Sequence, residues 1–239
     1  MGAKLSEYEV RSRIMLGRPN ASQLSASDLQ EHVEEAVRRY SKDRPRIAHR
    51  DYVGDGVAFD LSLSLITDWV NGFSYPFAIE YPQGERPPSY LDMGEVVPYP
   101  ISSAPTVLRL MNTTPASGKT ARVYYALPWP IPDETAATDL IPATDFEIVC
   151  HYAAYLGANQ LAGRAVPHKD ANLPSAAVFD LSGEGPNWRE IARDNLNAYR
   201  AAVGGGDDGK PAASGWINWD ARSSFLDTGR TFLFHYPRR

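Results

Sequence analysis

Thr144–Arg164, TDFEIVCHYAAYLGANQLAGR, is the stretch whose reading decides the fold. It opens with capping-box spacing. The Thr144 hydroxyl is placed to accept the amide of residue 147, and Glu147 to reach back to the amide of Thr144. Pro142 discourages helix before that point, and no proline interrupts afterwards. Phe146, Val149, Cys150, Ala153, Gly157 and Leu161 fall on one helical face, and Ile148, Tyr152, Tyr155 and Leu156 widen it. Ala153, Ala154, Gly157 and Ala158 are small enough for another helix to approach closely. The expectation is a central, mostly buried helix with other helices against it. Phe146, Val149, Ala153, Gly157 and Leu161 are its packing residues.

Upstream, Ser6 to Gly17 reads as a first helix, with Ser6 and Glu9 in capping-box spacing and Gly17-Arg18-Pro19 as the stop. Ser27 is the expected cap of a second helix. Its stripe is Leu29, Val33, Ala36, Val37 and Tyr40; Arg38, Arg39 and Lys42 sit near its C-terminus, and Pro45 ends it. From Pro45 to Leu127 the period changes to two. Ile47–Val53 and Val57–Leu61 flank Gly54-Asp55-Gly56, a hairpin signal. Pro76–Tyr81, Thr106–Met111 and Thr120–Leu127 are further strands, and Thr67–Gly72 is a single helical turn around Trp69. Strands at this spacing predict a small antiparallel sandwich or barrel. A proline-rich arm, Pro128–Pro142, leads into the central helix. Residues 166–186 read as irregular, and Asn187 with Glu190 caps a last helix, Trp188–Val203, whose packed face is Trp188, Ile191, Ala192, Asn195, Leu196 and Tyr199.

The fold class expected is therefore α+β. An α-helical bundle of about four helices carries an inserted β module and ends in an extended tail. The boundaries are 1–44 for the first helices, 45–127 for the β module, 128–203 for the arm and remaining helices, and 204–239 for a glycine linker and tail. The tail holds Trp216, Trp219, Phe225, Leu226, Phe232, Leu233, Phe234 and Tyr236 on a piece too short to make its own core. Such a segment either folds back or adds to a partner, so these eight residues are the candidate partner-binding set.

A chain of 239 residues with 43% hydrophobic content can bury a sizeable core. A net charge of −5 argues against a strongly basic nucleic-acid binder. Cys150 is the one cysteine and lies on the buried face, so no internal disulfide is possible. The start, MGAKLSEYEV, has no signal-peptide core, and no run approaches the ~18 apolar residues of a membrane span. The expected product is soluble, with no membrane partner.

Chemistry-bearing motifs are sparse. Ser117-Gly118-Lys119-Thr120 resembles the end of a phosphate loop, but Thr113 stands where that motif needs glycine, so the segment reads as a hairpin turn. His151 has no histidine or cysteine partner at i+4 for zinc, and His32 lies on a polar flank. His168 sits in a loop without an identifiable partner. Asp51, Asp55 and Asp60 are too few and too widely spaced for a calcium loop. No serine sits in a nucleophile elbow. No catalytic residue, metal site or cofactor is expected, and the protein reads as a non-enzyme.

The order of elements, taken with LSEYEVRSRIMLGRP, SASDLQEHVEEAVRRYSKDRPR, GDGVAFDLS, DWVNGFSYPFAIEYPQGERPPSYLD, TARVYYALPWPIPD and IPATDFEIVCHYAAYLGANQLA, resembles the head–tail connector (adaptor, or head-completion) proteins of tailed bacteriophages. The most telling pieces are Lys42-Asp43-Arg44-Pro45 and the run Asp68-Trp69…Phe73…Ile79-Glu80-Tyr81-Pro82. The similarity spans roughly residues 4 to 203 and excludes the tail. It implies a homo-oligomeric ring, usually of twelve copies, beneath the portal protein in the virion neck, assembled in the host cytoplasm. A tailward neck, stopper or tail-completion protein would follow, and double-stranded DNA would pass through without tight binding. In that family the C-terminal extension commonly docks on the portal. The rival expectation is a carbohydrate- or surface-binding β-sandwich with helical decoration.

Overall fold

The computed structural model describes residues 3–17, 19, 23–99, 106–134, 141–164 and 184–204. The chain is mixed α and β, and the described residues form four helices and two small antiparallel three-stranded sheets. No closed barrel forms among the described residues. Two compact units result: one takes the residues up to Pro45 and those from Pro128 to the end of the last described helix, the other Arg46–Leu127.

In the helical unit, α1 is Leu5–Met15, α2 Ala26–Asp43, α3 Phe146–Arg164 and α4 Glu184–Val203. The helix α3 packs against each of the other three. Its small face is why. Ala153, Ala154 and Ala158 are fully buried, and a Cβ added at Gly157 would lie 2.9 Å from Leu16 Cδ1 and 3.4 Å from Leu24 Cδ2. The α2 stripe Leu29, Val33, Ala36, Val37 and Tyr40 is at most 1% exposed. Burial on this scale, about 1.5–3 kcal/mol for each large side chain, is what holds the helices together.

The helix starts differ from expectation. Thr144 does not cap α3. A short 3₁₀ turn, Ala143–Asp145, leads in, the Thr144 hydroxyl donates to Asp145 Oδ1 at 3.1 Å, and Glu147 instead pairs with Arg11. Ser6 does not cap α1 either. Its amide and hydroxyl both donate to the Glu134 carboxylate at 3.2 Å, while Leu5 N donates to Asp133 O at 3.0 Å, so the proline-rich arm supplies the cap. An acidic group at that end also suits the helix dipole. For α2 the cap is Ser25, reciprocated by Asp28, two residues before Ser27. Helix α4 begins at Glu184, so Asn187 is an exposed residue inside it; Pro186 is tolerated in the first turn, where its missing N–H has no helical acceptor.

The second unit contains β1 Arg46–Val53, β2 Asp60–Ser62, β3 Pro76–Glu80, β4 Val96–Tyr99, β5 Val107–Leu110 and β6 Thr120–Leu127. The sheets run β1-β6-β3 and β2-β5-β4. A single buried cluster draws on both, including Tyr52, Leu61, Ile79, Leu108, Val123 and Leu127. The expected hairpin across Gly54-Asp55-Gly56 does not form. β1 pairs over its whole length with β6, from Arg46↔Leu127 to Val53↔Thr120, and β2 pairs with β5. Asp55 Oδ1 accepts the amides of Val57 at 2.8 Å and Ala58 at 2.7 Å, opening the loop instead of closing a two-residue turn. Gly54 is wedged under the Pro115–Lys119 turn, where a Cβ would sit 2.4 Å from Pro115 O. That turn joins strands of different sheets, so it is not a hairpin turn. Thr67–Gly72 forms turns without a helix, and a 3₁₀ turn lies earlier, at Leu63–Leu65.

Candidate functional surfaces

The residues expected to pack on α3 are placed inside the chain. Val149 and Ala153 are fully buried beside Tyr8, Val33 and Val37, and Leu161 joins Leu24 and Leu29. Phe146 is only half-buried. Its ring lies 4.5 Å from that of Tyr8, and it lines a shallow groove of about 340 Å³ with Ser6, Glu7, Val10, Arg11 and Ile14. The small-residue face is therefore occupied by the chain's own helices. The eight tail residues, Trp216, Trp219, Phe225, Leu226, Phe232, Leu233, Phe234 and Tyr236, lie outside the described residues, as do His168 and His235.

The segment Lys42-Asp43-Arg44-Pro45 has a structural task. Arg44 reaches Asp145 Oδ2 at 3.4 Å and donates to Ala202 O at 2.7 Å, joining the end of α2 to the start of α3 and the end of α4. Tyr40 donates its hydroxyl to the same Asp145 carboxylate. Asp43 Oδ2 accepts from Tyr199 OH at 2.6 Å and Arg39 Nε at 2.9 Å. Trp129, just after the chain re-enters the helical unit, donates Nε1 to Arg44 O at 2.6 Å and its amide to Ser41 Oγ at 3.0 Å. Burial, then the hydrogen bonds to Asp145 and Asp43, push the Tyr40 and Tyr199 hydroxyls well above the ordinary tyrosine range. Both remain neutral donors, which is what a carboxylate-centred junction requires.

The run around Asp68-Trp69 is structural too. Asp68 accepts from Tyr125 OH at 2.9 Å and pairs with Arg46 at 3.6 Å, while the Trp69 and Tyr125 rings lie 5.9 Å apart. Burial, then Asp68, raises Tyr125 to about 12. Glu80 accepts from Gly84 N at 2.8 Å and Tyr124 OH at 3.2 Å. Both motifs thus brace the ends of elements.

Among the described residues, two sheet surfaces carry exposed side chains. On β2-β5-β4, Arg109 makes a two-pronged 2.8 Å bond to Asp60, and its guanidinium lies 4.0 Å from the Tyr99 ring centroid and 5.2 Å from that of Phe59. The arginine holds the Asp60 carboxyl below its ordinary value. On the other sheet β1 is an edge strand. Its outer face carries Ile47, 52% exposed, and Val53, 73% exposed, around the Asp51–Arg122 pair. Sequence reasoning missed this edge because it assigned β1 a hairpin partner.

Histidine geometry is local: His32 Nε2 lies 2.6 Å from Gln160 Oε1, and His151 Nδ1 lies 2.9 Å from Asn195 Oδ1. Among the described residues no three His, Cys, Asp or Glu side chains cluster as a metal site would need. No described helix is long and apolar enough to cross a membrane. No family model matches the sequence, and no curated protein matches it significantly.

Proposed function

We propose that the chain is a structural virion protein, one subunit of a head–tail connector ring of twelve copies beneath the portal. In this role it completes the head after packaging, joins it to the tail and lines the DNA passage, with no catalytic step. The α+β architecture expected for such a subunit is a helical bundle carrying a β-sandwich insertion. The observation that supports it best is the interruption of the helical unit: the chain leaves after Pro45 and returns at Pro128, and Trp129 bonds back to Arg44 across the excursion. The junction lies in Lys42-Asp43-Arg44-Pro45, one of the two most telling pieces of the resemblance.

In this account the aromatic tail docks on the portal, and a neck, stopper or tail-completion protein binds below. The net charge of −5 fits a passage through which duplex DNA slides, because each lysine or arginine contact to phosphate would add affinity. Removing residues 210–239 tests the docking. The full chain is expected to co-sediment with portal rings and the shortened chain to stay in the supernatant. Equal co-sedimentation of both would defeat the tail's role.

A further inference from the structure

The sheet β1-β6-β3 has two edges, and they differ. The β3 edge is covered: Tyr81 N donates to Ser89 O at 2.9 Å, Leu91 N to Ile79 O at 2.9 Å, and Glu80 bridges Tyr90. The β1 edge is eight residues long and has no strand beside it among the described residues. Alternation identifies its unsatisfied groups. Gly54 N donates to Lys119 O, one step beyond the β1–β6 register, so Tyr52, Arg50, Ala48 and Arg46 face β6 with their amides. The amides and carbonyls of Ile47, His49, Asp51 and Val53 then point outward. Long, unblunted edges of this kind are templates for another strand. Among the described residues the other sheet has for its edges β2, three residues, and β4, four residues with Pro98 inside.

We infer that the outer edge of β1 is the seat of the chain's own C-terminal segment, Thr231–Tyr236, which adds to the sheet as a strand until a partner takes it. This rests on the proposed reading of the tail as a docking segment. Connectivity supports an intramolecular strand. Arg44 holds Ala202 O at 2.7 Å at the end of α4, and Pro45 alone separates Arg44 from the first residue of β1. The last described helix thus ends against Arg44, two residues before the strand begins in sequence. Residues 205–230 span at most about 90 Å when extended, against roughly 26 Å for the length of β1. Chemistry supports it as well. TFLFHY alternates, placing Phe232, Phe234 and Tyr236 on one face. On the outer face of β1 these rings would meet exposed Ile47 and Val53, where aromatic and β-branched side chains pair favourably. One addition satisfies the outward amides and covers apolar surface on both strands.

Amide hydrogen exchange on the full chain, without portal, tests this. The outward amides of Ile47, His49, Asp51 and Val53 are expected to be protected, and in the full-length F232D/F234D variant to exchange at least ~tenfold faster. The amides of Ala48, Arg50 and Tyr52, paired with β6, should be unchanged and report an intact fold. Outward amides that exchange freely in the native chain, or protection that survives the substitutions, would overturn the seat. Protection that grows with protein concentration would assign the strand to a second copy and overturn the intramolecular seat. Because portal is not in the sample, free β1 amides combined with tail-dependent portal co-sedimentation would sink the seat while leaving the docking account standing.

Discussion

Gly54→Ala is the most informative single substitution in the β unit. The added Cβ would lie 2.4 Å from Pro115 O and 2.5 Å from Ala116 O, both backbone atoms that no rotamer change can move. Relieving the clash means separating the two turns. Three hydrogen bonds cross that contact: Gly54 N to Lys119 O at 2.7 Å, Gly118 N to Gly54 O at 3.0 Å and Gly56 N to Pro115 O at 3.0 Å. At about 1 kcal/mol net for each bond, their loss costs roughly 3 kcal/mol. Alanine returns about 0.4–1 kcal/mol by restricting the unfolded chain. The balance is a destabilisation of about 2 kcal/mol, or a urea midpoint lowered by roughly 1 M for a slope near 2 kcal/mol/M. Val57→Ala, at a side chain 79% exposed, should leave the midpoint unchanged. The sign is the test, since alanine in an ordinary open loop would stabilise. A midpoint equal to or above that of the parent chain would refute the packing described for Gly54.

Other expectations concern titratable groups. Asp28 is held at about 2, first by the hydrogen bond from Gln160 and then by those from Ser25, against an ordinary value of 3.8. A carboxylate whose folded pKa is lowered contributes stability above its unfolded value, and loses that contribution as pH falls through the folded one. Unfolding stability should therefore decline between about pH 4 and 2, less steeply in Asp28→Asn; superimposable acid limbs would contradict the assignment. The Cys150 thiol is buried and pushed up to about 12 by that burial. In the native chain at pH 8 it should resist thiol reagents and label only at the unfolding rate, whereas labelling within minutes would place it at the surface.

What the sequence revealed follows the range of the interactions involved. The α2 stripe is legible because one helix face meets one core, so Leu29, Val33, Ala36, Val37 and Tyr40 announce themselves by spacing alone. Strand β6, central in its sheet, is legible for the same reason, with Ala121, Val123, Tyr125 and Leu127 buried in alternation. Contacts between residues far apart in the chain were not. Glu134 caps α1 from more than a hundred residues away, and Gly54 is explained by Pro115 instead of by its neighbours. Strand β4 was not among the expected strands; it holds Pro98, which is tolerated because β4 lies at an edge of its sheet. For function, Lys42-Asp43-Arg44-Pro45 and the run around Asp68-Trp69 resolve into braces between elements. The residues expected to meet a partner lie in the tail, outside the described residues.

A connector subunit must build a ring on a portal. Electron microscopy of the full-length protein mixed with portal rings measures that directly. The expected image is a second ring of twelvefold symmetry stacked on the portal, lost when residues 210–239 are removed. Portal rings that remain bare beside a monomeric protein would contradict it.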